Sequence, residues 1–135
     1  MKFLVDVNVI SETMKPDPDP EVILWLKNNE PNITVDAVIL GEIWFGILCL
    51  PMGKRRKALE EWFTSVVSIL ACLPWDAKTG LRWAVLLSEL RRKGQGLPIK
   101  DSMIAATALA HGLTVVTRNV EDFRRSGVSV LNPFR

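Results

Sequence analysis

Apolar residues in this chain come in short runs, each closed by an acid, a proline or another turn former. "KFLV" (2–5) ends on Asp6, "NITV" (32–35) on Asp36, "ILACL" (69–73) on Pro74, "LTVVT" (113–117) on Arg118 and "VSVL" (128–131) on Asn132. Runs of this length, rich in β-branched residues, read as buried strands. The stretches between them carry helix signals. Asp19 can cap a helix that opens on Pro20 with Glu21 in its first turn. Asp36 can cap the apolar stretch 37–50, which stops before "PMG", and "KRRKALEEWFTSVVS" (54–68) is amphipathic. Asp76 caps a long helix through Lys93, closed by Arg91, Arg92, Lys93 and Gly94. "DSMIAATALAH" (101–111) is a helix ended by Gly112, and "RNVEDFRRSG" (118–127) is a short helical turn. Strands alternating with helices predict an α/β fold: a parallel sheet of four to five strands with helices on both faces.

Length and composition narrow the class. The 135 residues suit one compact domain, and 48% hydrophobic with 24% charged residues is globular rather than disordered. Cys49 and Cys72 form no C-x-x-C pair and read as buried thiols in a reducing compartment. No basic stretch leads into a long apolar region at the start, and the run 37–50 is too short and, with Glu42, too charged to span a bilayer. A soluble, cytoplasmic protein is expected. The net charge of +2 permits a polyanionic partner without requiring one.

Four acids stand where acids are costly. In an open α/β sheet, ligands bind outside the carboxyl ends of the strands. Asp6 ends the first strand, Asp122 follows the "LTVVT" strand by five residues, and Asp101 opens a helix that can face the same edge. Glu42 has Val38, Ile39, Phe45 and Gly46 as helical neighbours, so its charge needs a metal or a distant arginine. Each also has an ordinary explanation when taken singly: Asp101 as a cap, Asp6 as a turn residue, Asp122 as a solvated acid and Glu42 as half of an ion pair. One shared site accounts for all four. Oxygen ligands favour Mg²⁺ or Mn²⁺ over zinc, which would want clustered Cys or His. His111 is the single histidine, which excludes a two-histidine ribonuclease, and no Walker loop or G-x-S-x-G elbow is present.

"FLVDVNVISE", "AVILGEIWFGI", "PIKDSMIAATALAHG" and "TVVTRNVEDF", in that order and spacing, resemble the PIN-domain ribonucleases, and in particular the VapC toxins of bacterial toxin–antitoxin pairs in their FitB-like branch. The resemblance runs from the first residues to "VLNPF" and covers essentially the whole chain as a single PIN domain over 1–135. It implies a metal-dependent endoribonuclease whose quartet Asp6, Glu42, Asp101 and Asp122 surrounds Mg²⁺ or Mn²⁺, with Asp6 and Asp101 as direct ligands. Asn8, Thr117, Arg118 and Asn119 would support the site or meet substrate. Products would carry a 5′-phosphate and a 3′-hydroxyl. Two departures stand out: Val7 replaces the family's usual threonine, and Asp36 stands where serine or threonine is general.

The resemblance further implies a homodimer and a small antitoxin, joined in a higher assembly, with no membrane partner. Trp44 and Phe45 cannot both face one small core, so the 37–50 helix is expected at the centre or in an interface. The tryptophans at 25, 44, 62, 75 and 83 are read as core residues by default. Arg118, Arg124 and Arg125 are the expected contacts to RNA phosphates, while Lys54–Lys57 reads first as a solvated helix start. Two alternatives remain: an inactive PIN-fold RNA- or protein-binding module, and a phosphoacceptor receiver, which lacks its lysine in "LTVVTRN".

Overall fold

The structure is a computed structural model describing residues 2–135. Five parallel strands form one sheet in the order β3-β2-β1-β4-β5, with β1 Phe3–Val5, β2 Ile33–Asp36, β3 Ala71–Leu73, β4 Thr114–Val116 and β5 Val130–Leu131. All five predicted strands are present, four of them trimmed to the residues that pair and β2 shifted by one residue to take in Asp36, which pairs with Leu73. Leu4, Val5, Val35, Val115 and Val116 have no solvent exposure. Strands covered on both faces must be apolar throughout, which is why they read as runs rather than alternations.

From β1 the chain moves outward to β2 and β3, then crosses back to lay β4 on the other side of β1. The direction of travel reverses between β1 and β4, where such sheets bind ligands. Short α1 (Val7–Ile10) follows β1 at once, and a 3₁₀ turn (Ser11–Met14) leads toward α2 (Pro20–Asn29). The remaining helices are α3 (Ala37–Leu48), α4 (Lys54–Trp62) running into a π-helical turn at Phe63–Val67, α5 (Ala77–Arg92), α6 (Ile99–His111) and α7 (Val120–Arg124).

Three predicted caps form as expected. Asp19, Asp36 and Asp76 accept from the backbone N–H groups of Glu21, Ile39 and Thr79 at 2.9, 2.8 and 3.1 Å. Asp76 also accepts from the Thr79 hydroxyl at 3.0 Å. Replacing Asp76 with Ala should lower stability, read as a fall in the denaturant midpoint. α6 ends on Gly112 at φ +65°, a left-handed cap where a side chain would be strained.

Three expectations are corrected. The helix expected from Asp101 begins two residues earlier, at Ile99 after Pro98, so Asp101 lies inside the first turn and the capping explanation for it falls away. Cys49 and Cys72 are exposed, because one caps the far end of α3 and the other lies on the edge strand β3. α3 stops at Leu48, two residues short of the expected end. Trp62 is buried and Trp25 and Trp44 pack against the core, meeting Phe3 and Phe63 at ring-centre distances of 5.0 and 4.8 Å, whereas half-buried Trp75 and Trp83 pack on each other at 5.7 Å outside the core cluster. Phe45 is the aromatic left out, at 64% exposure. Among the described residues no helix is long and apolar enough to cross a membrane.

Candidate active site

The site grows from the β1–β4 pairing. Val5 pairs with Val116, so the residues that follow, Asp6 and Thr117, leave the sheet side by side. The Asp6 backbone N–H donates to Val116 O at 2.9 Å. Its carboxylate is 6% exposed and accepts from the Thr117 hydroxyl at 2.8 Å and from the Val7 N–H at 2.8 Å. Burial pushes the Asp6 carboxyl above its ordinary value, and these two hydrogen bonds pull back against it. The missing threonine hydroxyl at position 7 therefore leaves Asp6 oriented: the backbone of Val7 and the side chain of Thr117 do that work.

Asn8 and Asn119 tie the neighbouring loops to this pair. Asn8 Oδ1 accepts from the Arg118 N–H at 3.1 Å, and its Nδ2 lies 3.3 Å from the Thr117 hydroxyl and 3.4 Å from Asp6. The Asn119 N–H donates to Thr117 Oγ1 at 3.0 Å. Asn119 Nδ2 lies 2.9 Å from a carboxylate oxygen of both Asp101 and Asp122, one amide bridging two acids. Asn8, Thr117 and Asn119 thus connect three of the four predicted acids.

Asp101 bears the strain of the grouping. Its carboxyl is pushed up to about 6, first by burial and then by the charges of Asp6, Asp122 and Glu42, while Asn119 holds it down in part. Glu42 is also raised, by burial first, then by Asp6, against the opposing charge of Lys100. Lys100 Nζ stands 3.8 Å from Glu42 Oε2. The distant partner sought for Glu42 is therefore a lysine, where an arginine or a metal was expected, and the side chain keeps 29% exposure. Asp101 feels the other three acids and Glu42 feels Asp6, yet as they stand no three His, Cys, Asp or Glu side chains among the described residues are grouped to close around an ion.

The predicted phosphate contacts are already engaged within the chain. Arg125 Nη2 pairs with Asp122 at 2.8 Å and its Nη1 donates to Gly96 O at 2.7 Å. Arg124 pairs with Glu121 at 3.3 Å, and the Arg118 guanidinium stacks 3.8 Å from the centre of the Phe134 ring. Sequence reasoning missed Lys100, and it read Asp36 as a cap without the buried contact described below. Beside the acids runs an open groove of about 370 Å³, walled by Val7, Met14, Ile43, Ile47, Leu59 and Trp62, with Glu42 and Arg55 also on its lining.

Acids gathered at the reversal point of a five-stranded parallel sheet define a PIN-type domain, and since residues 3–128 match the PIN-domain family, the chain belongs to it. Its relatives carry toxin and ribonuclease names. VapC ribonuclease Y4jK of Sinorhizobium fredii is 33% identical, with 98% of this chain and 97% of the relative aligned. Toxin FitB of Neisseria gonorrhoeae is also 33% identical, with 98% of each chain aligned. A solved structure of FitAB bound to a DNA fragment superposes with a TM-score of 0.92 at 31% identity, covering 98% of this chain and 96% of the matched one. The family and fold expected from the four motifs are those found.

Proposed function

We propose that the chain is a metal-dependent endoribonuclease, built as a single PIN domain and serving as the toxin of a toxin–antitoxin pair. The observation that carries this reading is the tie at the β1–β4 reversal, where Asn119 bridges Asp101 and Asp122 at 2.9 Å each and Thr117 links Asn119 to Asp6; burial and neighbouring carboxylates there push Asp101 up to about 6. Such repulsion is relieved by a cation among them. The donor set is all oxygen, which fits Mg²⁺ or Mn²⁺. Asp6 and Asp101 would hold the ion directly, with Glu42 and Asp122 completing the set. When bound, the metal would supply an activated water and neutralise charge on the phosphodiester.

The chain's own residues prepare the site. Thr117 and the Val7 N–H keep Asp6 turned toward the edge, and Asn119 holds Asp101 and Asp122 together until a cation competes for them. Lys100, half exposed beside Glu42, offers a positive charge to a substrate phosphate. The names of the relatives, among them the tRNA(fMet)-specific endonuclease VapC of Shigella flexneri at 31% identity, support RNA as substrate.

The partner reading is supported by the solved structures this chain resembles, among them a member of the VapBC family of toxin–antitoxin systems from Mycobacterium tuberculosis. The apolar groove ending at Glu42 suits an antitoxin segment that would cover the acids. Exposed Phe45 and Leu48 on α3, with Leu81 and Val85 on α5, support a homodimer. A second reading, a catalytically weak PIN-fold binding module, is favoured by one observation: the acids are not yet grouped to hold an ion. Incubating the protein with mixed cellular RNA, with Mn²⁺ and with chelator, separates the two. Metal-dependent cleavage leaving 5′-phosphate ends supports the nuclease; RNA binding that survives chelation with no cleavage in Mn²⁺ supports the module.

A further inference from the structure

Asp36 is more than a helix cap. Its side chain has no solvent exposure, and its two oxygens go to two different helices. Oδ1 accepts from the Ile39 N–H in the first turn of α3 at 2.8 Å. Oδ2 accepts from the Thr107 hydroxyl on α6 at 2.6 Å, and Thr107 is itself fully buried. A serine or threonine could fill the first role but is too short to fill both.

The spacing of these contacts is what makes them consequential. Glu42 lies six residues along α3 from Asp36, and Asp101 lies six residues along α6 from Thr107. At about 1.5 Å per helical residue, each acid sits roughly 9 Å along its helix from the same buried hydrogen bond. The two helices meet again at their other end, where Lys100, next to Asp101, stands 3.8 Å from Glu42. That outer contact is half exposed and weak, whereas the inner one is dry and short.

We propose that Asp36 is a positioning residue: its carboxylate locks α3 to α6 through Thr107 and so sets the separation of Glu42 and Asp101. This rests on the reading that those two acids hold a metal. Groups that orient metal ligands from one contact away commonly change affinity by about 10–100-fold, and a clamp further off should act near the lower end.

Calorimetric titration of Mn²⁺ into the metal-free full chain tests the clamp, with metal-free melting temperatures alongside. Thr107→Val keeps the shape and the α3 cap but removes the hydrogen bond, and should weaken Mn²⁺ binding about tenfold. Thr107→Ser restores the hydroxyl and should bind within about twofold of wild type. Asp36→Asn retains an acceptor for Ile39 and a donor for Thr107, and should also stay close to wild type. Asp36→Ser keeps only the cap, and combined with Thr107→Val should be no worse than either alone. Thr107→Val binding Mn²⁺ like wild type overturns the clamp, as does Asp36→Asn falling as far as Asp36→Ser, which would assign the effect to charge. If Asp36→Ser does not fold, the Thr107 pair decides alone. Wild type that binds no Mn²⁺ overturns the metal reading and the clamp with it, whereas wild-type binding with Thr107→Val unaffected overturns the clamp only.

Discussion

Asp101→Asn should reduce RNA cleavage by at least about 100-fold while leaving the metal-free protein as stable as wild type, or more so. The loss is on the scale seen when one charge-stabilising group is removed from an active site. Asparagine keeps the size of the side chain, and its carbonyl oxygen can still accept from Asn119, so the α6–α7 contact survives. What disappears is one of four mutually repelling charges, the one most strained in the absence of a cation. Cleavage of mixed RNA in Mn²⁺ and thermal melting in chelator measure the two halves of this expectation. Cleavage at the wild-type rate would remove Asp101 from the chemistry. A melting temperature several degrees lower would make it a structural residue instead.

Metal-free stability should fall as the pH rises from about 5 to about 6.5, and Mg²⁺ should abolish most of that fall. Asp101 in the folded chain titrates near 6, against 3.8 ordinarily, so the folded state holds its proton more tightly than the unfolded state does. For a carboxyl raised in this way, stability is greatest while both states are protonated. It declines once the unfolded chain ionises, and the decline ends when the folded group ionises as well. Asp6, Asp36 and Glu42 are raised too and act in the same direction. The opposing acids, Glu12, Asp19 and Asp76, are lowered, so their contribution grows as pH rises through the unfolded values of 3.8 to 4.5 and changes little above about pH 5.5. The fall between pH 5 and 6.5 is therefore that of the raised acids together, Asp101 foremost. Asp101 alone corresponds to about 3 kcal/mol over the whole range from below 3.8 to above 6, less than half of it between pH 5 and 6.5, and screening of a half-buried group leaves roughly 0.5–1 kcal/mol in that window. Chemical denaturation at pH 5 and 6.5, with and without Mg²⁺, reads it; a flat profile in chelator would mean that the acids do not repel one another.

What could be read in the sequence was short-range. Asp19, Asp36 and Asp76 cap the helices they precede because the hydrogen bonds span two or three residues. The strands were legible because burial on both faces forces them apolar. Asp6 at the end of β1 and Asp122 after β4 followed from strand order alone. Long-range partners were not legible: nothing near Glu42 in the chain announces Lys100, and nothing near Asp36 announces Thr107. The arginines' own partners were hidden for the same reason, since Arg125 finds Gly96 O and Arg118 finds the Phe134 ring only after folding. The start of α6 was placed at Asp101, two residues late, because Pro98 and not Asp101 stands at the cap position.

The crossing that lays β4 beside β1 has a consequence during synthesis. Asp6 leaves the ribosome early, yet Thr117 and Asp122 emerge more than a hundred residues later, and the acidic edge exists only when both ends of that span have met. A chain truncated before Asp122 would carry an incomplete set of oxygens, so on the reading proposed above the cation site would form only after the segment carrying Thr117 and Asp122 has folded back onto β1.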